Sequence, residues 1–147
     1  MALPPLPESA IVIGAEVATW RDAVTVAADA LAASGAARPA YAQEMIRMIE
    51  EHGPYVVIAP GLALAHARPG PEVLTDGLAI VTLREPVRFG HPHNDPVRVV
   101  LGLAITDPGT HLGAVASLAN VFNDSSAIAD LAAATTAAEV RTIMGVA

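Results

Sequence analysis

The chain has 147 residues, 53% apolar but only 3% aromatic, enough for one domain with a core of small aliphatic side chains. Fifteen acidic against eight basic residues leave a net charge of −7, which argues against nucleic acid as a partner and suits docking on basic protein surfaces. No cysteine is present, so there is neither a disulfide framework nor a thiol nucleophile.

Residues 1 to 9 are proline-rich and are expected to form a flexible arm ahead of a single domain. They carry no basic start and no long apolar run, and nowhere do 18 apolar residues follow one another. A cytosolic protein with no membrane insertion is therefore expected. Ile11-Val12-Ile13 reads as a short buried strand. Thr19 with Asp22 three residues on has the form of a capping box, opening a helix that runs to about Ser34 and stops at Gly35. Its apolar face is Trp20, Ala23, Val24, Ala27, Ala30 and Leu31. A second helix spans about 39 to 51, with Tyr41, Met45, Met48 and Ile49 inward and Gly53 as its stop. Apolar runs at 55–59, 62–66, 77–83, 87–89 and 97–105 read as strands. Two are nearly continuous in Val, Leu and Ile, as suits strands covered on both faces. Helices are predicted at 110–122, 125–133 and 136–144, the last opening on Thr136 and Glu139. This order implies an α/β fold: a three-layer α/β/α sandwich with a mixed sheet of about five strands flanked by helices.

The segment from Gly53 to Pro69 holds two short apolar runs, a Pro60-Gly61 turn between them and then His66. Proline presets φ at the turn and glycine accepts the positive φ that follows, so a hairpin is expected with His66 at the end of its second strand. An imidazole on a rigid element can change charge near neutral pH. The pattern alone leaves a packed or surface histidine as the plainer reading.

Pro60-Gly61-x-Ala63-x-x-His66-Ala67-Arg68 resembles the phosphorylation-site signature of enzyme IIA components of bacterial sugar phosphotransferase systems, mannitol/fructose type. The longer string His52-Gly53-Pro54-Tyr55 through Pro69, with Phe89-Gly90-His91-Pro92-x-Asn94-Asp95-Pro96-Val97, resembles the ascorbate-type branch. Nearly the whole chain takes part. Family members usually carry proline before the site histidine, where this chain has Ala65; the change loosens the backbone but removes no reactive group.

The resemblance implies a phosphocarrier. The protein HPr would donate a phosphoryl group to His66, which would pass it to a cysteine of a separate enzyme IIB and so to a sugar entering through the membrane enzyme IIC. An apolar rim from Leu62, Leu64 and neighbours would dock both partners, and self-association is left open. Phosphoryl transfer needs an in-line nucleophile and charge stabilisation at the equatorial oxygens. Neutral His66 supplies the first, with no cofactor or metal, provided an unidentified acceptor holds its other ring proton. His111 is the second residue of interest. It follows Asp107-Pro108-Gly109-Thr110 at the start of a helix whose stripe is Leu112, Val115, Leu118, Ala119 and Phe122. A helix N-terminus favours bound phosphate. A capping-turn residue at the core edge is the plainer reading, but His111-Leu112 followed by Leu118-Ala119 matches a mannitol-type setting in which a histidine lies beside the site histidine. His111 would then stabilise the phosphoryl group. Arg68 is a second phosphate-binding candidate, since guanidinium matches phosphate geometry, and equally a surface charge.

Three other readings stand beside this one. A regulatory sensor of the same fold would be phosphorylated on His66 and bind a regulator. A metal-dependent enzyme would use His66, His91, His93 and His111, although the His91-x-His93 pair in a proline-rich turn is a weak metal signal and most simply a solvated turn. An inert binding module would use none of them. Asp95 and Asp107 suggest no carboxylate dyad, and no nucleotide-binding glycine loop or serine triad is present.

Overall fold

A computed structural model describes residues 3–124 and 126–146, except the side chains of Pro108, Thr110 and His111. Ten elements follow a 3₁₀ turn at Glu8–Ala10: β1 (Ile11–Ala15), α1 (Trp20–Ala33), α2 (Tyr41–His52), β2 (Val57–Ala59), β3 (Leu62–Ala65), β4 (Gly77–Val87), β5 (Val97–Ala104), α3 (Pro108–Phe122), α4 (Ser126–Ala133) and α5 (Ala137–Ile143). The five strands form one mixed sheet in the order β1-β4-β5-β3-β2. β1 runs parallel to β4 and β3 parallel to β5, while β4/β5 and β2/β3 are antiparallel. α1 packs on β4 and β5 with α2 beside it, and α4 and α5 pack on the sheet with α3 against α4. The expected three-layer α/β/α arrangement is the one observed.

The long central runs are inaccessible for the reason their composition suggested. Leu78, Ile80, Val81, Val99, Val100 and Leu101 are fully buried because helices cover both faces of β4 and β5. The alanine-rich face of α1 lies close on the sheet, and two glycines make room for it. A Cβ on Gly102 would sit 3.2 Å from Leu31 Cδ1 and 3.3 Å from the Ala27 carbonyl oxygen, and one on Gly77 would sit 2.4 Å from Ala36 Cβ. Caps fall where the side chains predict. Thr19 accepts from the Asp22 N–H at 3.2 Å, Thr136 accepts from the Glu139 N–H at 3.1 Å, and Gly35 ends the first helix with φ +84°.

Four expectations need correction. β1 is only partly buried, because it is an edge strand with one neighbour. The runs at 77–83 and 87–89 are not two strands: β4 continues through an irregularity to Val87, and Phe89 lies beyond it with its N–H bonded to Asp95. In α3 the buried residues include Ala114 and Leu118, whereas Leu112 is 75% exposed and Ala119 is exposed. Finally, the described part of the proline-rich start is docked rather than loose. The Pro5 carbonyl accepts from the Leu78 N–H at 3.0 Å, Leu6 is buried, and the Arg141 guanidinium donates to the Leu6 carbonyl.

Candidate functional site

The site grows out of the hairpin. Gly61 has φ +80°, the left-handed conformation that the Pro60-Gly61 turn requires, and it brings β3 back beside β2. β3 inserts between β2 and β5 with Ala65 opposite Gly102. Ala65 is fully buried there, held by the sheet immediately before the histidine. The ladder ends at this point and His66 emerges half-buried at the rim.

Its imidazole is held by the chain itself. Nδ1 lies 2.8 Å from the Leu64 carbonyl oxygen. A carbonyl only accepts, so in the neutral ring Nδ1 carries the proton and the lone pair is on Nε2. The acceptor that the sequence could not name is thus a backbone carbonyl two residues upstream. The Tyr55 ring stands edge-on to the imidazole, 5.6 Å between centroids at 85°, and its hydroxyl donates to the His66 carbonyl at 3.4 Å. His52, at the end of α2, also packs edge-on to Tyr55, 6.4 Å between centroids.

Around His66 lies an open hollow of about 510 Å³ lined by Met48, Tyr55, Ala67, Arg68, Pro69 and Leu112. Its walls are mostly apolar, and Tyr55 and Leu112 are large side chains left exposed, 39% and 75%. The apolar rim is therefore built from Met48, Tyr55, Pro69 and Leu112. Leu62 and Leu64, the expected rim residues, are instead buried within β3, whose side chains are covered on both faces of the sheet. Arg68 is exposed at the hollow, close enough to Tyr55 for its charge to oppose the upward push that burial gives the Tyr55 phenol.

His111 lies outside the described side chains; its neighbour Leu112 places the first turn of α3 at the hollow. That turn is capped by Asp107, which accepts from the Gly109 N–H at 2.9 Å. The helix start is thus already partly engaged by a carboxylate.

The other two histidines are elsewhere. The 90–96 loop packs against the Pro60-Gly61 turn, where the Gly61 N–H donates to the Asn94 carbonyl at 3.0 Å, at the opposite end of β3 from His66. His91 Nδ1 accepts from the N–H groups of His93 and Asn94, both at 3.1 Å. A cluster of His66, His91, His93 and His111 is thus excluded by topology, and no group of three or more metal-ligating residues occurs among the described residues. Asp95 does have partners: it closes the same loop by accepting from the N–H groups of Phe89 and Gly90.

Two residues escaped the sequence reading. The apolar run at 55–59 puts Tyr55 in a strand, whereas it lies ahead of β2 and beside the His66 ring. Tyr41 is core, as its helical spacing implies, yet its hydroxyl accepts from the Ala67 N–H at 3.0 Å and donates to the Leu103 carbonyl at 2.9 Å. Burial pushes this phenol up to about 12.

Among known proteins the likeness is extensive. The chain is 41% identical over 127 residues to the ascorbate-specific PTS system EIIA component of Shigella boydii, covering 86% of this chain and 82% of that protein. It superposes on the crystal structure of IIA mannitol from Escherichia coli with a TM-score of 0.84 and 29% identity, covering 95% and 99% of the two chains. It also superposes on the IIA chain in the complex of the Escherichia coli enzymes IIAMTL and phosphorylated IIBMTL, with a TM-score of 0.84 and 28% identity over 96% and 97%. Residues 5–145 match the family described as phosphoenolpyruvate-dependent sugar phosphotransferase system, EIIA 2, and the chain belongs to that family of phosphocarriers.

Proposed function

We propose that His66 carries the phosphoryl group, taken from phospho-HPr and passed to the cysteine of an enzyme IIB in the cytosol, in a relay that serves uptake of ascorbate or a closely related sugar acid. The observation that carries this reading is the 2.8 Å contact of Nδ1 with the Leu64 carbonyl. It leaves the lone pair on Nε2, the ring nitrogen farther from the backbone.

The transfer then balances without a metal. Nε2 attacks the phosphorus of the donor phosphohistidine in line as the donor P–N bond breaks. The bonding pair returns to the donor ring, which leaves as a neutral imidazole if its other nitrogen is protonated. His66 keeps its own proton on Nδ1, shared with the Leu64 carbonyl, so the new phosphoimidazolium has its positive charge partly offset by that dipole. In the second step a thiolate attacks the same phosphorus, and the P–N pair returns to Nε2. One P–N bond is exchanged for another of like kind in the first step, so it runs near equilibrium.

Arg68, at the hollow, and His111, on the first turn of α3, are the groups we assign to the phosphoryl oxygens. The apolar rim of Met48, Tyr55, Pro69 and Leu112 suits short-lived docking of two partners in turn. The likeness to ascorbate-specific relatives supports the sugar assignment, since an enzyme IIA does not itself meet the sugar.

The test is phosphorylation from enzyme I, HPr and phosphoenolpyruvate, followed by intact mass. One acid-labile phosphoryl group is expected on the wild type, none on His66→Ala, and a slowed or unstable label on His111→Ala. Transfer onward to a cognate enzyme IIB separates a transport relay from a regulatory sensor. No label on the folded protein from a cognate HPr overturns the proposal.

A further inference from the structure

The β3–β5 ladder breaks off immediately before His66, and the way it breaks is specific. In the parallel register Ala65 faces Gly102, and the Val99 N–H donates to the Gly61 carbonyl at 3.1 Å. Continuing that pattern, the next rung is the Ala67 N–H to the Leu103 carbonyl. Both groups are present but do not meet. The Tyr41 hydroxyl stands between them, accepting from Ala67 N–H at 3.0 Å and donating to Leu103 carbonyl at 2.9 Å, with the Ala67 carbonyl also 3.3 Å away. Two hydrogen bonds through one oxygen replace a single rung, so the strand end is held off β5 by the width of a hydroxyl.

We infer that Tyr41 is a positioning residue for His66: by splicing its hydroxyl into the rung that brackets the histidine, it splays the end of β3 so that the imidazole can turn back onto the Leu64 carbonyl. The inference rests on the assignment of His66 as the phosphoryl carrier. Four features support it. Tyr41 is 1% exposed and comes from α2, an element outside the sheet, so the spacer is rigid. The phenol is held neutral by burial and can both donate and accept at working pH. The bridged residue, Ala67, directly follows His66, leaving no intervening residue to absorb a shift. The Nδ1 contact that fixes the tautomer depends on the backbone angles of Ala65 and His66, which the bridged residue bounds on one side.

Tyr41→Phe keeps the ring and removes only the oxygen. The expected result is a folded protein with an unchanged far-ultraviolet spectrum. Its rate of phosphoryl acceptance from HPr should fall on the order of tenfold at saturating HPr, as for a small misplacement of a reacting group. Its His66 ring ¹⁵N signals should move from the Nδ1–H tautomer toward a mixture. A merely structural role would lower stability and leave the tautomer signals where they were. Acceptance within twofold of wild type with an unchanged ring signature overturns the inference. Should Tyr41→Phe not fold, hydrogen exchange on the wild type decides: the Ala67 amide must exchange as slowly as the core amides of β5, and exchange at the rate of the Arg68 amide overturns the bridge. If the wild type accepts no phosphoryl group, the carrier assignment fails, and the ring signature of Tyr41→Phe still judges the positioning claim.

Discussion

Alkaline pH should weaken this fold through a single buried phenol. In the folded chain the Tyr41 hydroxyl is pushed from its ordinary 10.0 up to about 12, chiefly by burial. The neutral form is therefore the one the fold stabilises. That contribution is complete below about pH 10, where the phenol is neutral in both folded and unfolded chains. It is lost as pH rises through about 12, because the unfolded chain ionises first. Two units of displacement correspond to about 3 kcal/mol at most, and about half of that is gone near pH 11. This is a large share of the ~5–15 kcal/mol that holds a typical domain. The assay is urea unfolding at intervals between about pH 8 and 11.5 for wild type and Tyr41→Phe. The phenylalanine protein starts less stable, because the Ala67 N–H and the Leu103 carbonyl lose their bridge. Its stability should then decline less steeply, so the difference between the two proteins narrows by about 1.5 kcal/mol at pH ~11. Tyr55, the other tyrosine, is common to both proteins and largely cancels. A difference that stays constant across this range would refute the reasoning.

The remaining predictions concern packing and docking. Gly77→Ala should cost about 1–3 kcal/mol by thermal or urea unfolding. The new Cβ would lie 2.4 Å from Ala36 Cβ, and the Ala36 backbone is pinned by bonds to Leu31, Leu74 and Thr75. Leu112→Asp should leave stability within about 0.5 kcal/mol, because the side chain is 75% exposed. It should raise the HPr concentration needed for half-maximal phosphorylation several-fold, read by initial rates of label incorporation.

How much of this was legible in the chain differs from element to element. The caps at Thr19 and Thr136, the stop at Gly35 and the Pro60-Gly61 turn are local chemistry, and each performs in the structure as its residue type dictates. The buried runs of β4 and β5 were legible because strands covered on both faces need no alternation. Burial at the edges was not, since it depends on neighbours distant in sequence. Ile11-Val12-Ile13 is as apolar as a core strand yet lies at the sheet's edge, and Leu112 fits a helical stripe yet points to the hollow. At the site, the turn, the motif and the resemblance marked His66. The partner of its ring did not show, because that partner is a backbone carbonyl, which no side-chain pattern encodes. Tyr41 looked like any core aromatic, since a hydroxyl that replaces a ladder rung leaves no trace in periodicity. The histidine pair at 91 and 93 was visible but uninformative: its Nδ1 contacts serve the loop, a full strand away from His66.

The central claim is that His66 takes the phosphoryl group on Nε2 while the Leu64 carbonyl holds Nδ1–H. Heteronuclear ³¹P–¹⁵N and ¹H–¹⁵N correlation on the ring-labelled protein, after phosphorylation through HPr, reads this directly. The account predicts one phosphohistidine, at residue 66, with phosphorus coupled to Nε2 and the proton retained on Nδ1. Phosphorus on Nδ1 of His66, or on any other histidine, would contradict it.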